Sequence, residues 1–126
     1  MDSSILNYRY SWPIRYIRKF LLKFGLSNKN PIINFYNYSF QLDLSQEGIS
    51  KTIYTNRVRE IDHCTVFKNL IQNKSKFLDL GANIGYYALF TFAHAREDAT
   101  IICVEPDPRN IKVLKSNIKI NNLHHK

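Results

Sequence analysis

Residues 78 to 86 read Leu-Asp-Leu-Gly-Ala-Asn-Ile-Gly-Tyr. A short apolar run ends on Gly81, and an apolar, aromatic stretch long enough for a helix begins after Gly85. That is the pattern of a strand turning into a helix. Glycine in such a turn lets a ligand come close to the backbone and tolerates positive φ. The helix that follows offers its free N–H groups and positive dipole end to the same ligand. Asp79, at the carboxyl end of the strand, can meet a cationic or hydrogen-donating group. Twenty residues after Gly85, Glu105 closes a second apolar run, Thr100 to Val104. A carboxylate there can accept both hydrogen bonds of a ribose diol. The combination describes a site for a nucleoside-type ligand at the top of a parallel sheet.

The dinucleotide fingerprint is G-x-G-x-x-G, and only Gly81 is in register with it, because Asn83 and Tyr86 hold the other two glycine positions. A pyrophosphate would find that turn crowded, so a nicotinamide-dependent oxidoreductase stands last among the readings. An acid just before the glycine suits a zwitterionic ligand with an ammonium group. S-adenosylmethionine carries an amino group on its methionine half and a ribose diol on its nucleoside half. The expected cofactor is therefore S-adenosylmethionine, and no pattern of a metal site accompanies it.

Three stretches, FLDLGANIGYYAL (77 to 89), VEPDPRN (104 to 110) and LKSNIKINNL (114 to 123), resemble the FkbM family of S-adenosylmethionine-dependent methyltransferases. The similarity extends upstream through DLSQEGISKTIY and the Arg59-Glu60 region, over residues 40 to 123. It implies a Rossmann-like class I methyltransferase fold and methyl transfer to an oxygen of a sugar or natural product. It places Asp79, Gly81, Asn83 and Gly85 along the methionine side of the cofactor, Glu105 on the ribose and Asp107 near the adenine edge. Members of that family continue well past two strands, so a chain that stops at Lys126 is expected to hold only the front of the fold and to be inactive alone. The catalytic base is not assigned.

Several elements must position these residues. Asp107 suits an N-cap and Pro108 the first helical position, with Ile111, Leu114 and Ile118 as the apolar stripe of the following helix. Residues 77 to 122 thus read strand, helix, strand, helix, which predicts parallel α/β packing. The run TIICV is apolar on both faces, as for a strand covered on both sides. Upstream, Val58, Ile61, Cys64, Phe67 and Ile71 predict a helix over 57 to 72. Ile32 to Tyr36 and Phe40 to Leu44 predict a hairpin turning at Asn37 to Ser39, and Ile49 to Tyr54 a further short strand. Ser11, Trp12 and Pro13 mark the entry of a basic amphipathic helix with Ile14, Ile17, Leu21 and Phe24 on one side. Three regions follow: a basic helical region at 1–30, a hairpin lead-in at 31–56, and the front half of the cofactor domain at 57–126.

The chain has 126 residues and a formal net charge of +8. Residues 1 to 30 hold six bases and one acid, Asp2. The excess fits a solvated face or an anionic partner. Peripheral membrane contact through residues 12–24 is allowed by the helix pattern. The expected acceptor is a small molecule or glycan. Nucleic acid is not expected as a partner, because no aromatic and basic pattern of a known RNA-binding module is present. The alternatives are a class I RNA methyltransferase and a non-catalytic module binding a partner or membrane. Cys64 and Cys103 read as buried free thiols. With no apolar run of membrane-spanning length and no signal-peptide pattern, a cytoplasmic location is the default. His63, His94, His124 and His125 show no ligand spacing. Tyr86 and Tyr87 are candidates to touch cofactor or acceptor, Arg57, Arg59 and Glu60 to line an acceptor cleft, and Asn117 and Asn121, four apart on one helical face, to contact solvent. The oligomeric state is left open.

Overall fold

A computed structural model describes residues 12–35, 37–45, 47–57 and 59–123. Ser11, Tyr36, Val58 and the tail histidines His124 and His125 lie outside the described residues. Helix α1 spans Trp12–Lys23, strand β1 Ile32–Phe35 and strand β2 Tyr38–Gln41. Helices α2 (Ile49–Asn56) and α3 (Ile61–Ile71) follow. The chain then runs through β3 (Lys76–Leu80), α4 (Tyr86–His94), β4 (Thr100–Val104) and α5 (Pro108–Ile120). Strands β1 and β2 pair antiparallel, and β3 and β4 pair parallel with Leu78 opposite Ile102 and Leu80 opposite Val104. The predicted strand–helix–strand–helix order of the second half is present.

The core gathers Phe40, Leu42, Ile53, Cys64, Ile71, Tyr86, Leu89 and Phe90. The hairpin turns earlier than predicted, with Phe35 opposite Tyr38, yet the alternation that drew the strand outward persists. Leu42 and Leu44 donate their N–H groups to the carbonyls of Pro31 (2.9 Å) and Lys29 (2.7 Å) and remain buried.

Segment 49 to 54, predicted as a strand, is helix α2. Its β-branched residues favour a strand, but tertiary context overrides propensity. Gly48, at φ 131°, breaks the extended run, and the helix buries Ser50 and Ile53. The Ser50 hydroxyl accepts the Asp43 N–H at 3.1 Å. The helix predicted from 57 starts only at Ile61, because Arg57 (φ 62°) and Glu60 (φ 51°) are both left-handed and interrupt the ladder.

The largest departure is at Asn117 and Asn121, expected to face solvent. Asn117 is 0% exposed. Its Oδ1 accepts the Gln41 N–H (2.7 Å), and its Nδ2 donates to the carbonyls of Gln41 (3.1 Å) and Ile84 (2.8 Å). Asn121 repeats the arrangement on Ser39, accepting its N–H at 2.9 Å and donating to its carbonyl at 2.7 Å. Two amides one helical turn apart therefore bond every second residue of β2, as a neighbouring strand would. They close an edge that would otherwise be open to pairing with another chain.

Within the described residues strand β4 is covered on one face only. Cys103 and Ile101 face α4 and α5, whereas Ile102 and Val104 are 61% and 47% exposed. The helices supplied by these residues all lie on one face of the pair. Cys64 is buried as expected, and Cys103 is half-buried; both are free thiols. Among the described residues no helix is long and apolar enough to cross a membrane.

Candidate functional site

The turn after β3 is built from the backbone up. Gly81 and Ala82 donate N–H groups to the Val104 carbonyl at 2.8 and 3.0 Å, which ties the turn to the end of β4. Asn83 takes a left-handed conformation (φ 51°), tolerable for asparagine because its own Oδ1 accepts the Ile84 N–H at 2.9 Å. Gly85, at φ 91°, opens α4. A Cβ on Gly85 would stand 2.6 Å from Leu114 Cδ1, so this glycine also lets α5 pack closely. Around Gly81, by contrast, a Cβ would meet nothing within 4 Å, and that side of the turn is open to a ligand.

Glu105 links the two strand ends. Its Oε2 accepts the Asn83 N–H (2.8 Å), and its Oε1 accepts the Asp107 N–H (3.0 Å) and the Asn110 side chain (3.2 Å). These donors, the Asp107 N–H foremost, hold its carboxyl below the usual range, so it is charged at neutral pH. A carboxylate has about four acceptor directions, so three bonds leave room for a ligand hydroxyl. Asp107 caps α5, accepting the Arg109 N–H at 2.8 Å, and its second oxygen receives the Arg109 guanidinium at 2.7 Å. Arg109 draws its carboxyl down to about 2. The N-cap and Pro108 at the helix start are as predicted; Asp107's charge is already matched by Arg109.

Asp79 is placed differently. It faces a cavity of about 380 Å³ lined also by Phe67, Phe77, Tyr87 and Thr91. Its Oδ2 is buried and has no hydrogen-bond partner. Burial, and then the Glu105 charge, push its carboxyl up. A raised carboxyl costs stability once ionised: wild type and a neutral variant are equal below the ordinary carboxylate value and diverge as pH rises. Asp79→Asn is thus expected to melt higher than wild type at pH 8 and at the same temperature near pH 3. An equal gain at both pH values would show that burial of charge is not the cause.

Beside the same cavity, Tyr87 donates to Glu60 Oε2 at 2.5 Å, and Glu60 Oε1 accepts from Arg59 at 2.8 Å. The Tyr87 hydrogen bond, then Arg59, holds Glu60 low. Tyr86, the other aromatic candidate, is buried; its hydroxyl donates to the Arg59 carbonyl at 2.8 Å, a packing role. The sequence reading missed Asn110, whose only signal was its position in the first turn after Glu105.

A parallel strand–helix–strand unit with a glycine turn on the first strand and an acid ending the second defines a methyltransferase-type, Rossmann-like α/β fold. Solved structures share it. TYW2 of P. horikoshii in complex with MeSAdo matches with a TM-score of 0.60 at 19% identity, over 79% of this chain and 34% of that one. TYW2 of M. jannaschii in complex with AdoMet matches with a TM-score of 0.60 at 20% identity, over 78% of this chain and 41% of that one. A SAM-dependent methyltransferase from Agrobacterium tumefaciens gives 0.56 at 17% identity, over 78% of this chain and 30% of that one.

The chain belongs to the TRM5/TYW2 methyltransferase domain family, which matches residues 32–126. No curated protein sequence matches it. The chain spans about a third to under half the length of these solved structures. The FkbM resemblance, and with it O-methylation of a sugar or natural product, is not what the family match supports. Its motifs lie in the turn and the distal acid, which are common to the class and do not report the acceptor. The expectation that nucleic acid is not a partner is corrected, because the TRM5/TYW2 family acts on tRNA. It rested on the absence of a separate RNA-binding module, a pattern that a catalytic domain need not carry.

Proposed function

We propose that this chain is the donor-binding part of an S-adenosylmethionine-dependent methyltransferase acting on RNA. The observation that carries the reading is the buried, unpartnered Oδ2 of Asp79 beside the open Gly81 turn. A lone buried carboxylate oxygen calls for a cationic or donating partner, and the methionine ammonium is one. Asp79 would hold that ammonium, the Gly81–Gly85 turn would lie along the methionine, and Glu105 would take the ribose. Asp107, already capped and paired with Arg109, would border the adenine rather than bind it by charge. When bound, the cofactor supplies an electrophilic methyl group. The chain's share is to orient that donor and to keep Glu105 charged through its three N–H donors. Membership of a family that acts on tRNA and the net charge of +8 support an RNA acceptor.

Calorimetric titration tests the donor half. S-adenosylmethionine and S-adenosylhomocysteine are expected to bind the 126-residue chain, with affinity falling at least about tenfold, or about 1.4 kcal/mol, in Asp79→Asn and in Glu105→Gln. Because Asp79 must be ionised to hold the ammonium and its carboxyl is pushed up, affinity should weaken as pH falls. A folded chain that takes up neither ligand, or variants that bind as well as wild type, would sink the reading. The acceptor is tested separately by salt-dependent retention of unmodified tRNA.

A further inference from the structure

Helix α5 contains no acid, and past its first turn its exposed positions are Lys112, Lys115 and Lys119. Between them Val113, Leu114 and Asn117 are buried, and Ser116 and Ile118 are half-buried. At about 100° per residue the three lysines fall within about 60° of one another, a single row along the helix. Asn117 and Asn121 fix how the helix is turned. They hold β2 through their bonds to Gln41 and Ser39, and the Ser116 hydroxyl donates to the Gln41 side chain beside them. The lysine row lies roughly 120–180° around the helix from the two asparagines, on the side facing away from the hairpin.

Two features set this row apart from an ordinary solvated face. Among the described residues no carboxylate pairs with any of the three lysines. Like charges three and four positions apart oppose each other on a helix, and a surface kept only for solubility interleaves the two signs. Lysine is almost never fully buried unless paired, so the row belongs at the surface by its own chemistry. The row also leads away from the donor site. Helix α5 begins directly after Glu105 and the cap Asp107, and Lys112 stands two positions past Asn110, which holds Glu105. We propose that this lysine row carries the phosphate backbone of the RNA acceptor, a proposal that rests on the reading of the chain as part of an RNA methyltransferase.

The chemistry selects a nucleic-acid strand. Successive lysines rise by ~4.5 and ~6 Å along the helix, about one to two phosphates of a strand at ~3.4 Å each. No apolar or aromatic side chain is exposed among them to meet a base, so the row positions a backbone and does not read sequence. A helix that lies on a membrane needs an apolar face to insert. That face of α5 is already in the core, where Val113 and Leu114 are buried.

Retention of an unmodified tRNA transcript by the 126-residue chain, measured against salt, tests the row. In Lys112→Gln/Lys115→Gln/Lys119→Gln the affinity is expected to fall at least about tenfold, and the slope of log K against log salt by about 2–3, for three lost phosphate contacts. Lys29→Gln/Lys74→Gln/Lys76→Gln removes the same charge from exposed positions off α5 and is expected to lose no more than about threefold. Replacing the three α5 lysines by arginine keeps the charge and is expected to keep binding. All three variants are expected to give the wild-type circular dichroism spectrum. Equal losses in the two glutamine variants overturn the proposal, because net charge alone would then be at work. Undiminished binding in the α5 glutamine variant overturns it too, as does a loss in the arginine variant; each leaves the RNA reading standing. A wild-type chain that retains no tRNA at any salt overturns the RNA reading and the proposal with it. Should that chain instead sediment with phosphatidylserine vesicles, and the α5 glutamine variant not, the row belongs to lipid.

Discussion

Replacing Gly85 by alanine is expected to destabilise the chain by about 2–4 kcal/mol, from left-handed backbone strain and overpacking together. In thermal unfolding that is a fall in Tm of about 10–15 °C. Both causes are visible at the residue: φ is 91°, and the new Cβ would lie 2.6 Å from Leu114 Cδ1. Leu114 is itself only 6% exposed, so its side chain has little room to yield. The two causes can be separated. Combining Gly85→Ala with Leu114→Ala removes the close approach but not the strained φ, so the pair should cost less than the sum of the singles. Strict additivity would show that the contact with α5 is not the source. Gly81→Ala is the control: it carries the conformational strain at φ 79° with no neighbour to strike, and should cost about 1–2 kcal/mol.

The second large effect is expected at Asn117. Asn117→Ala leaves the Gln41 N–H and the carbonyls of Gln41 and Ile84 without their side-chain partner, in a place where Asn117 is 0% exposed. The expected loss is about 3 kcal/mol, as for a buried polar network broken on one side. Hydrogen exchange gives the specific readout. The Gln41 amide should lose protection in Asn117→Ala while the amides of β3 and β4 keep theirs relative to global stability. Uniform loss of protection across the chain would mean that the asparagine merely fills space.

What could be read from the sequence and what could not follows a physical line. The glycine turn, the capping Asp107 and Pro108, and the order β3–α4–β4–α5 are local: each depends on backbone preferences of neighbouring residues, and each is present in the structure. Helix α2 was not legible because Ile49, Thr52, Ile53 and Thr55 favour a strand, while what decides is burial of Ser50 and Ile53 at helical spacing. Asn117 and Asn121 read as solvent-facing because asparagine is ordinarily exposed; their partners in β2 lie 76 and 82 residues away. The candidate site divides in the same way. Glu105 at the end of β4 could be foreseen from spacing, but the N–H groups of Asn83 and Asp107 that hold it charged could not. Nor could the cavity that leaves one oxygen of Asp79 alone.

The asparagine ladder on β2 also dictates an order of assembly. Strands β3 and β4 join across 24 residues and can nucleate with α4 between them. The hairpin, though it precedes β3 and β4 in the chain, acquires its outer edge only when Asn117 and Asn121 arrive, and closing so long a loop is entropically slow. During synthesis the N-terminal third must therefore wait, its β2 edge unpaired, until α5 has formed. Until then the unpaired edge of β2 is open to another chain, so the speed at which α5 forms sets how long that exposure to aggregation lasts.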